Sequence, residues 1–224
     1  MARAVIWFLL IAALGVQIVL AGALHGLRPA IDDMPPPPSP LALKAVALGD
    51  DQFLFRAVTQ WLENVGDGGG RLRPLREFDY DRVTEWLRLA DALDPRSDAV
   101  FMLGSTYYGA LTDPATAAGK VGKLVVYFEQ AGMADPAARW QWLSWAATRT
   151  EHLVKDPVLA RRIAADLLSL RTSPTAPPWL PLLAVPLLRV AGDDAEVQKL
   201  INDPDMIQRR RDALDKLREN QEHH

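Results

Sequence analysis

The chain has 224 residues, 25 basic against 28 acidic side chains, and no cysteine. Without cysteine, disulfides, thiolate metal sites, iron–sulfur clusters and cysteine nucleophiles are excluded. The mildly acidic balance argues against a nucleic-acid partner, which needs a concentrated basic face. The one basic run, Arg209-Arg210-Arg211, lies between acids on a C-terminal helix and reads as a solvated face.

Residues 4–24 are uncharged, and only Gln17 interrupts their apolar character. As a helix the run spans roughly 31 Å, about the hydrocarbon thickness of a bilayer. We expect a transmembrane anchor over residues 1–27, with Trp7 near one interface. Gly15 and Gly22, seven apart, would line one face for close packing against other spans. The competing reading is a secretory signal cleaved near Ala23, in Ala21-Gly22-Ala23. Arg3, the terminal amine and a very short tail favour the N-terminus inside. The expected location is therefore a bacterial inner membrane, single-pass, with the C-terminal domain in the periplasm. Either reading exports the bulk of the chain. Residues 28–40 form a Pro-rich linker, whose Pro35 to Pro38 would hold the domain about 15–20 Å off the membrane.

Beyond the linker the pattern is helical almost throughout, with no sustained alternation. A short helix is predicted over Leu41 to Leu48, ended by Gly49. Asp50-Asp51 caps the next, to Asn64, with Phe53, Leu54, Ala57, Val58, Trp61 and Leu62 on its apolar face. Gly66 to Arg76 breaks the pattern. It lacks the spacings of phosphate-binding loops and follows a helix rather than a strand. It reads as a mobile loop whose arginines, Arg71, Arg73 and Arg76, are candidate partner contacts. Asp79 caps a helix through Leu93 that buries Val83, Trp86, Leu87 and Ala90. Further helices follow over Ser97 to Leu111, Val121 to Met133, Ala137 to Val154 and Asp156-Pro157 to Leu170. The last segments are Trp179 to Val190, kinked by Pro181 and Pro186, then Asp194 to Ile201 and Asp205 to Asn220. Five Asp-Pro pairs, at 94, 113, 135, 156 and 203, punctuate the array. Asp accepts from free helix N–H groups, and Pro at the first helical position loses no hydrogen bond.

These helical hairpins resemble the tetratricopeptide repeat. Leu103-Gly104-x-x-Tyr107 matches the family's first helix, although Val100 stands where Trp is usual. Phe128-x-x-Ala131-x4-Pro136 matches the second, and Leu87-x-x-Ala90-x4-Pro95 repeats that ending. The closing prolines are 41 residues apart rather than the family's 34, so an insertion is expected around Thr112 to Gly119. Trp142 and Ala146 fit a further first helix. The resemblance implies an α-solenoid over residues 41–204, followed by a C-terminal helix and tail, 205–224. It also implies a concave face that holds a peptide or a partner's helix.

Little else carries chemistry. His25, His152, His223 and His224 show no metal-ligand spacing, and no serine-nucleophile context occurs. No cofactor, metal or small-molecule substrate is expected, and an enzyme is not. Trp140 is a further candidate partner contact, with packing between adjacent hairpins as its alternative. The expectation is an all-α, membrane-anchored scaffold or assembly factor that binds envelope proteins or peptides. A permanent accessory subunit of a larger inner-membrane complex is the alternative.

Overall fold

The computed structural model describes residues 34–68 and 71–222, together with positions 7, 14, 15 and 17. Apart from those four positions, the expected anchor 4–24, its alternative cleavage site at Ala23 and Gly22 lie outside the described residues, as do His25, His223 and His224. Among the described residues no helix is long and apolar enough to cross a membrane.

The described chain is all-α apart from one minimal hairpin. Ser39 opens α1 (Pro40–Ala47), its hydroxyl accepting from the Ala42 amide. The helix ends in two left-handed residues, Leu48 (φ 51°) and Gly49 (φ 85°). Asp50 then caps α2 (Asp51–Asn64), accepting from the Phe53 amide at 2.9 Å. The buried stripe of α2 is Leu54, Phe55, Val58 and Leu62. Phe53, placed on that face by its spacing, is 58% exposed, and Ala57 is exposed too. At 100° per residue a stripe centred between Val58 and Leu62 accommodates Phe55 and leaves Phe53 on the far side.

The glycine-rich segment is more ordered than a loop. β1 (Asp67–Gly68) pairs antiparallel with β2 (Arg71–Leu72), and the Arg73 amide donates to the Gly66 carbonyl. Gly66, at φ 88°, lies where a Cβ would meet the Phe78 ring at 2.5 Å. Pro74 follows the ladder, where its missing N–H costs no pairing, and leads into a 3-10 turn, Leu75–Glu77.

Asp79 caps α3 (Tyr80–Leu93), which buries Val83, Trp86, Leu87 and Ala90. Helix α4 starts as Ala99–Met102, passes through a π-helical turn (Leu103–Tyr107) and closes as a 3-10 turn (Tyr108–Ala110). Asp113 caps α5 (Pro114–Ala134), with Pro114 in its first turn. The segment of the expected insertion, Thr112 to Gly119, is thus mostly helix. Asp113 and Pro114 nucleate it, and alanine, the best helix former, carries it forward. Helix α6 (Trp140–Arg149) continues into a second π-helical turn, Thr150–Val154. Asp156 caps α7 (Pro157–Ser169) through the Val158 and Leu159 amides. A 3-10 turn, Leu180–Leu183, contains Pro181 and leads into α8 (Ala184–Val190), with Pro186 in its first turn. There the prolines remove little backbone bonding. Helices α9 (Asp194–Asn202) and α10 (Pro204–Glu222) complete the chain.

The Asp-Pro pairs do two jobs. At 113, 156 and 203 the carboxylate accepts from amides of the helix that the proline starts. At 94 and 135 the aspartate instead closes the preceding helix, and a turn separates its proline from the next one.

Packing follows chain order: α2 on α3, α3 on α5, α5 on α6, α7 on α8, α8 on α9 and α9 on α10. Among the described residues no contact of comparable extent joins α2 or α3 to α8, α9 or α10. The buried side chains nevertheless form one continuous apolar core from Met34 to Met206.

Candidate functional site

The residues singled out for repeat packing converge around one aromatic cluster. A Cβ on Gly104 would lie 2.5 Å from Phe128 Cζ and 3.3 Å from Leu87 Cδ1, so α3, α4 and α5 meet at this glycine. Phe128 packs against Phe101, Trp142 and Trp145 with ring centroids at 5.5, 5.1 and 4.9 Å. Leu87, Ala90, Leu103, Phe128, Trp142 and Ala146 are buried. Ala131 is only half-buried. The close α5–α6 approach falls one residue later, at Gly132, where a Cβ would meet Leu143 Cγ at 2.6 Å.

Tyr107 is 37% exposed, while Tyr108 is fully buried. The π-helical turn that ends at Tyr107 adds a residue to the helical ladder and rotates Tyr108 inward. The Tyr108 hydroxyl donates to the Leu62 carbonyl at 2.8 Å, and the Tyr80 hydroxyl donates to the Tyr108 carbonyl at 2.7 Å. Burial pushes the pKa of both phenols well up, so they remain protonated donors. Pro95 is exposed and Pro136 half-buried. The Pro95 carbonyl accepts from Arg139, whose guanidinium makes a two-pronged pair with Asp91 at 2.8 Å on each arm. This staple holds the start of α6 on α3, and the sequence pattern did not single it out.

The candidate partner contacts disperse. Arg71 contributes backbone pairing in the hairpin, and Arg73 donates to the Glu77 carbonyl and sits over the Phe78 ring. Arg76 is exposed. Trp140 is half-buried, packed edge-on against Trp179 at 5.4 Å. Of its two sequence readings, that geometry supports packing between hairpins.

The Pro-rich linker does not stand clear of the domain. Met34 is buried, and Trp86 Nε1 donates to the Pro35 carbonyl at 2.7 Å. Trp61 packs on Trp86 with centroids at 4.5 Å, so an aromatic pair clasps the start of the polyproline run. Met34 and Pro35, within the linker expected over residues 28–40, thus pack against the domain. Polyproline exposes its carbonyls, and the Trp86 indole N–H takes one.

Among the surface grooves of the described residues, two are large. The first, about 490 Å³, lies between α3, α5 and α7, with Gly119 and Gly122 among its lining residues. Its charges are already engaged: Lys123 with Asp81, Arg162 with Glu129, and Arg88 with Gln130. The second, about 630 Å³, lies between α8, α9 and α10 and has Leu182, Val185, Ile201, Ile207 and Leu214 on its walls. Ile201, Ile207 and Leu214 are 40%, 38% and 46% exposed, so large apolar side chains are open to solvent together there. Arg189, Arg210 and Arg211 line the same groove and make no ion pair among the described residues. Arg209 differs from its neighbours in the basic run. It pairs with Asp205 and reaches back to the Pro178 and Arg171 carbonyls. The run is thus divided between a structural tie and a groove wall rather than solvated throughout. The signal was present in sequence as Ile207, Arg210, Arg211 and Leu214 at helical spacing.

Among the described residues, no three or more potential metal ligands cluster together. His152 lies at the surface, 3.6 Å from Glu151. Glu129 is buried between Arg162 and Asp166. Desolvation, then its hydrogen bond with Asp166, raises its pKa to about 7. It does not line the α8–α10 groove. Comparison of the chain with protein-family models, curated proteins and solved structures returns no match.

Proposed function

We propose that this chain is a protein-interaction scaffold, tied to a bacterial inner membrane by residues 4–24, whose periplasmic helical hairpins stack as a tetratricopeptide-like solenoid. Successive pairwise packing supports the stacking, as do the backbone approaches at Gly104 and Gly132. The observation that carries the docking role is the α8–α10 groove. In a stacked array each unit's apolar face is covered by a neighbour. Among the described residues Ile201, Ile207 and Leu214 remain open together. A contiguous exposed apolar surface of this kind marks an interaction site.

The test is photo-crosslinking in intact membranes with the full chain, placing the crosslinker at Ile207 or at the exposed Gln60 on α2. Discrete adducts at Ile207 and none at Gln60 are expected. A chain that migrates alone on native gels and yields no Ile207 adduct overturns the scaffold reading.

A further inference from the structure

We propose that the α8–α10 groove receives an acidic amphipathic helix of a partner protein, in contact over about two turns. This rests on the scaffold reading above and adds the chemistry of the client. Ile207 and Leu214 are seven residues apart on α10, which places them roughly 10.5 Å apart along the groove. An occupant matching that length presents apolar side chains at i, i+3 or i+4, and i+7.

Charge sets the occupant's flanks. Arg189 stands on α8, and Arg210 and Arg211 stand on α10. The acids of α10 nearest to them in sequence are engaged elsewhere: Asp205 holds Arg209 at 2.8 Å, and Asp212 accepts from Gln208 at 2.7 Å. None of the groove-lining residues is acidic. Three cations around an apolar floor complement a helix with carboxylates on both sides of its apolar stripe, and they disfavour a basic one.

Backbone chemistry selects a helix over an extended peptide. The groove walls are helices whose amides and carbonyls bond internally, so there is no sheet edge to add a strand to. A helix arrives with its own backbone hydrogen bonds made. An anionic acyl chain needs one head-group cation and an enclosing tunnel, whereas this groove is open and carries its cations on two helices.

The experiment uses the full chain in nanodiscs and fluorescence anisotropy. The probe is a labelled 16-residue helical peptide with leucines at i, i+3, i+4 and i+7 and glutamates on both flanks. Its twin carries lysines at the same flanks. The acidic peptide should bind saturably, at least about tenfold more tightly than the twin, and should weaken as salt rises. Arg210→Glu with Arg211→Glu should reverse the preference. Both positions make no ion pair among the described residues, so the fold is not at stake. Equal affinity of the twins, no binding of either, or binding of dodecanoate alone overturns the proposal. Should the peptides fail while Ile207 still crosslinks in membranes, the client's chemistry is wrong and the scaffold stands. Failure of both removes both.

Discussion

Gly104→Ala tests the close approach of α3, α4 and α5. The added methyl would sit 2.5 Å from Phe128 Cζ and 3.1 Å from Cε1. Phe128 is fully buried and ringed by Phe101, Tyr127, Trp142 and Trp145, so its ring has no free space to enter. Overpacking of this kind costs about 1–3 kcal/mol. Replacing glycine by alanine in a helical conformation returns about 0.4–1 kcal/mol by restricting the unfolded chain. The net expectation is a destabilisation of about 1–2 kcal/mol, read by urea unfolding from helical circular dichroism. Gly119→Ala is the matched control. Gly119 is helical and exposed, and nothing lies within 4 Å of its added Cβ. It should stabilise the protein by about 0.5–1 kcal/mol. Phe128→Leu shortens the obstructing ring, so Gly104→Ala should cost at least about 1 kcal/mol less in that background. A neutral or stabilising Gly104→Ala, or an unchanged cost in the Phe128→Leu background, would refute the close approach of α4 and α5.

Other expectations are equally direct. Glu129 has its pKa raised to about 7 by burial and by Asp166. Its folded state therefore holds a proton more tightly than the unfolded chain does. That contribution is present in full below about pH 4.5 and is lost as pH rises through about 7. Glu129→Gln, which mimics the protonated form, should flatten the pH dependence of thermal stability between about pH 5 and 8. A parallel slope in the variant would show that another group titrates. Asp156→Ala removes the cap that accepts from Val158 and Leu159 and should cost about 1 kcal/mol by chemical denaturation, with Asp156→Ser retaining most of the cap's contribution. Trp86→Phe keeps the ring pair with Trp61 but deletes the donor to Pro35. Hydrogen exchange should then show faster exchange at Ser39 and Ala42, with α3 little changed.

Helix starts were legible because they are local. The carboxylates of Asp50, Asp79, Asp113 and Asp156 bond to amides two or three residues ahead, and no distant partner decides the outcome. Faces were less legible. The rotation of α2 that exposes Phe53, and the π-helical turn that buries Tyr108 in place of Tyr107, depend on neighbouring helices that periodicity does not encode. The Asp91–Arg139 staple and the Trp86–Pro35 clasp join residues 48 and 51 apart, and neither belongs to a motif. The C-terminal groove went unread for a related reason. Arg210 and Arg211 sit beside acids in sequence; those acids bond within α10, and only the packing of α8 and α9 against it makes the two arginines a groove wall.

The length of the repeating unit bears on what kind of array this is. Closing turns at Asp94 and Asp135 are 41 residues apart, and the capping residues Asp113 and Asp156 are 43 apart. The two π-helical turns begin at Leu103 and Thr150, a similar interval, and each carries a threonine that bonds back one turn: Thr106 to the Met102 carbonyl and Thr150 to the Ala146 carbonyl. Such back-bonding competes with the regular ladder and bends a helix. All three intervals span α5 (Pro114–Ala134), so one lengthened segment there accounts for every one of them. The excess over 34 residues therefore sits with the 21-residue helix α5, where the insertion is expected. The proposed tetratricopeptide likeness rests on interface chemistry, with small residues where backbones cross and aromatics between them. The docking surface proposed above is accordingly drawn from this chain's own uncovered apolar side chains, between α8 and α10, and not from that family.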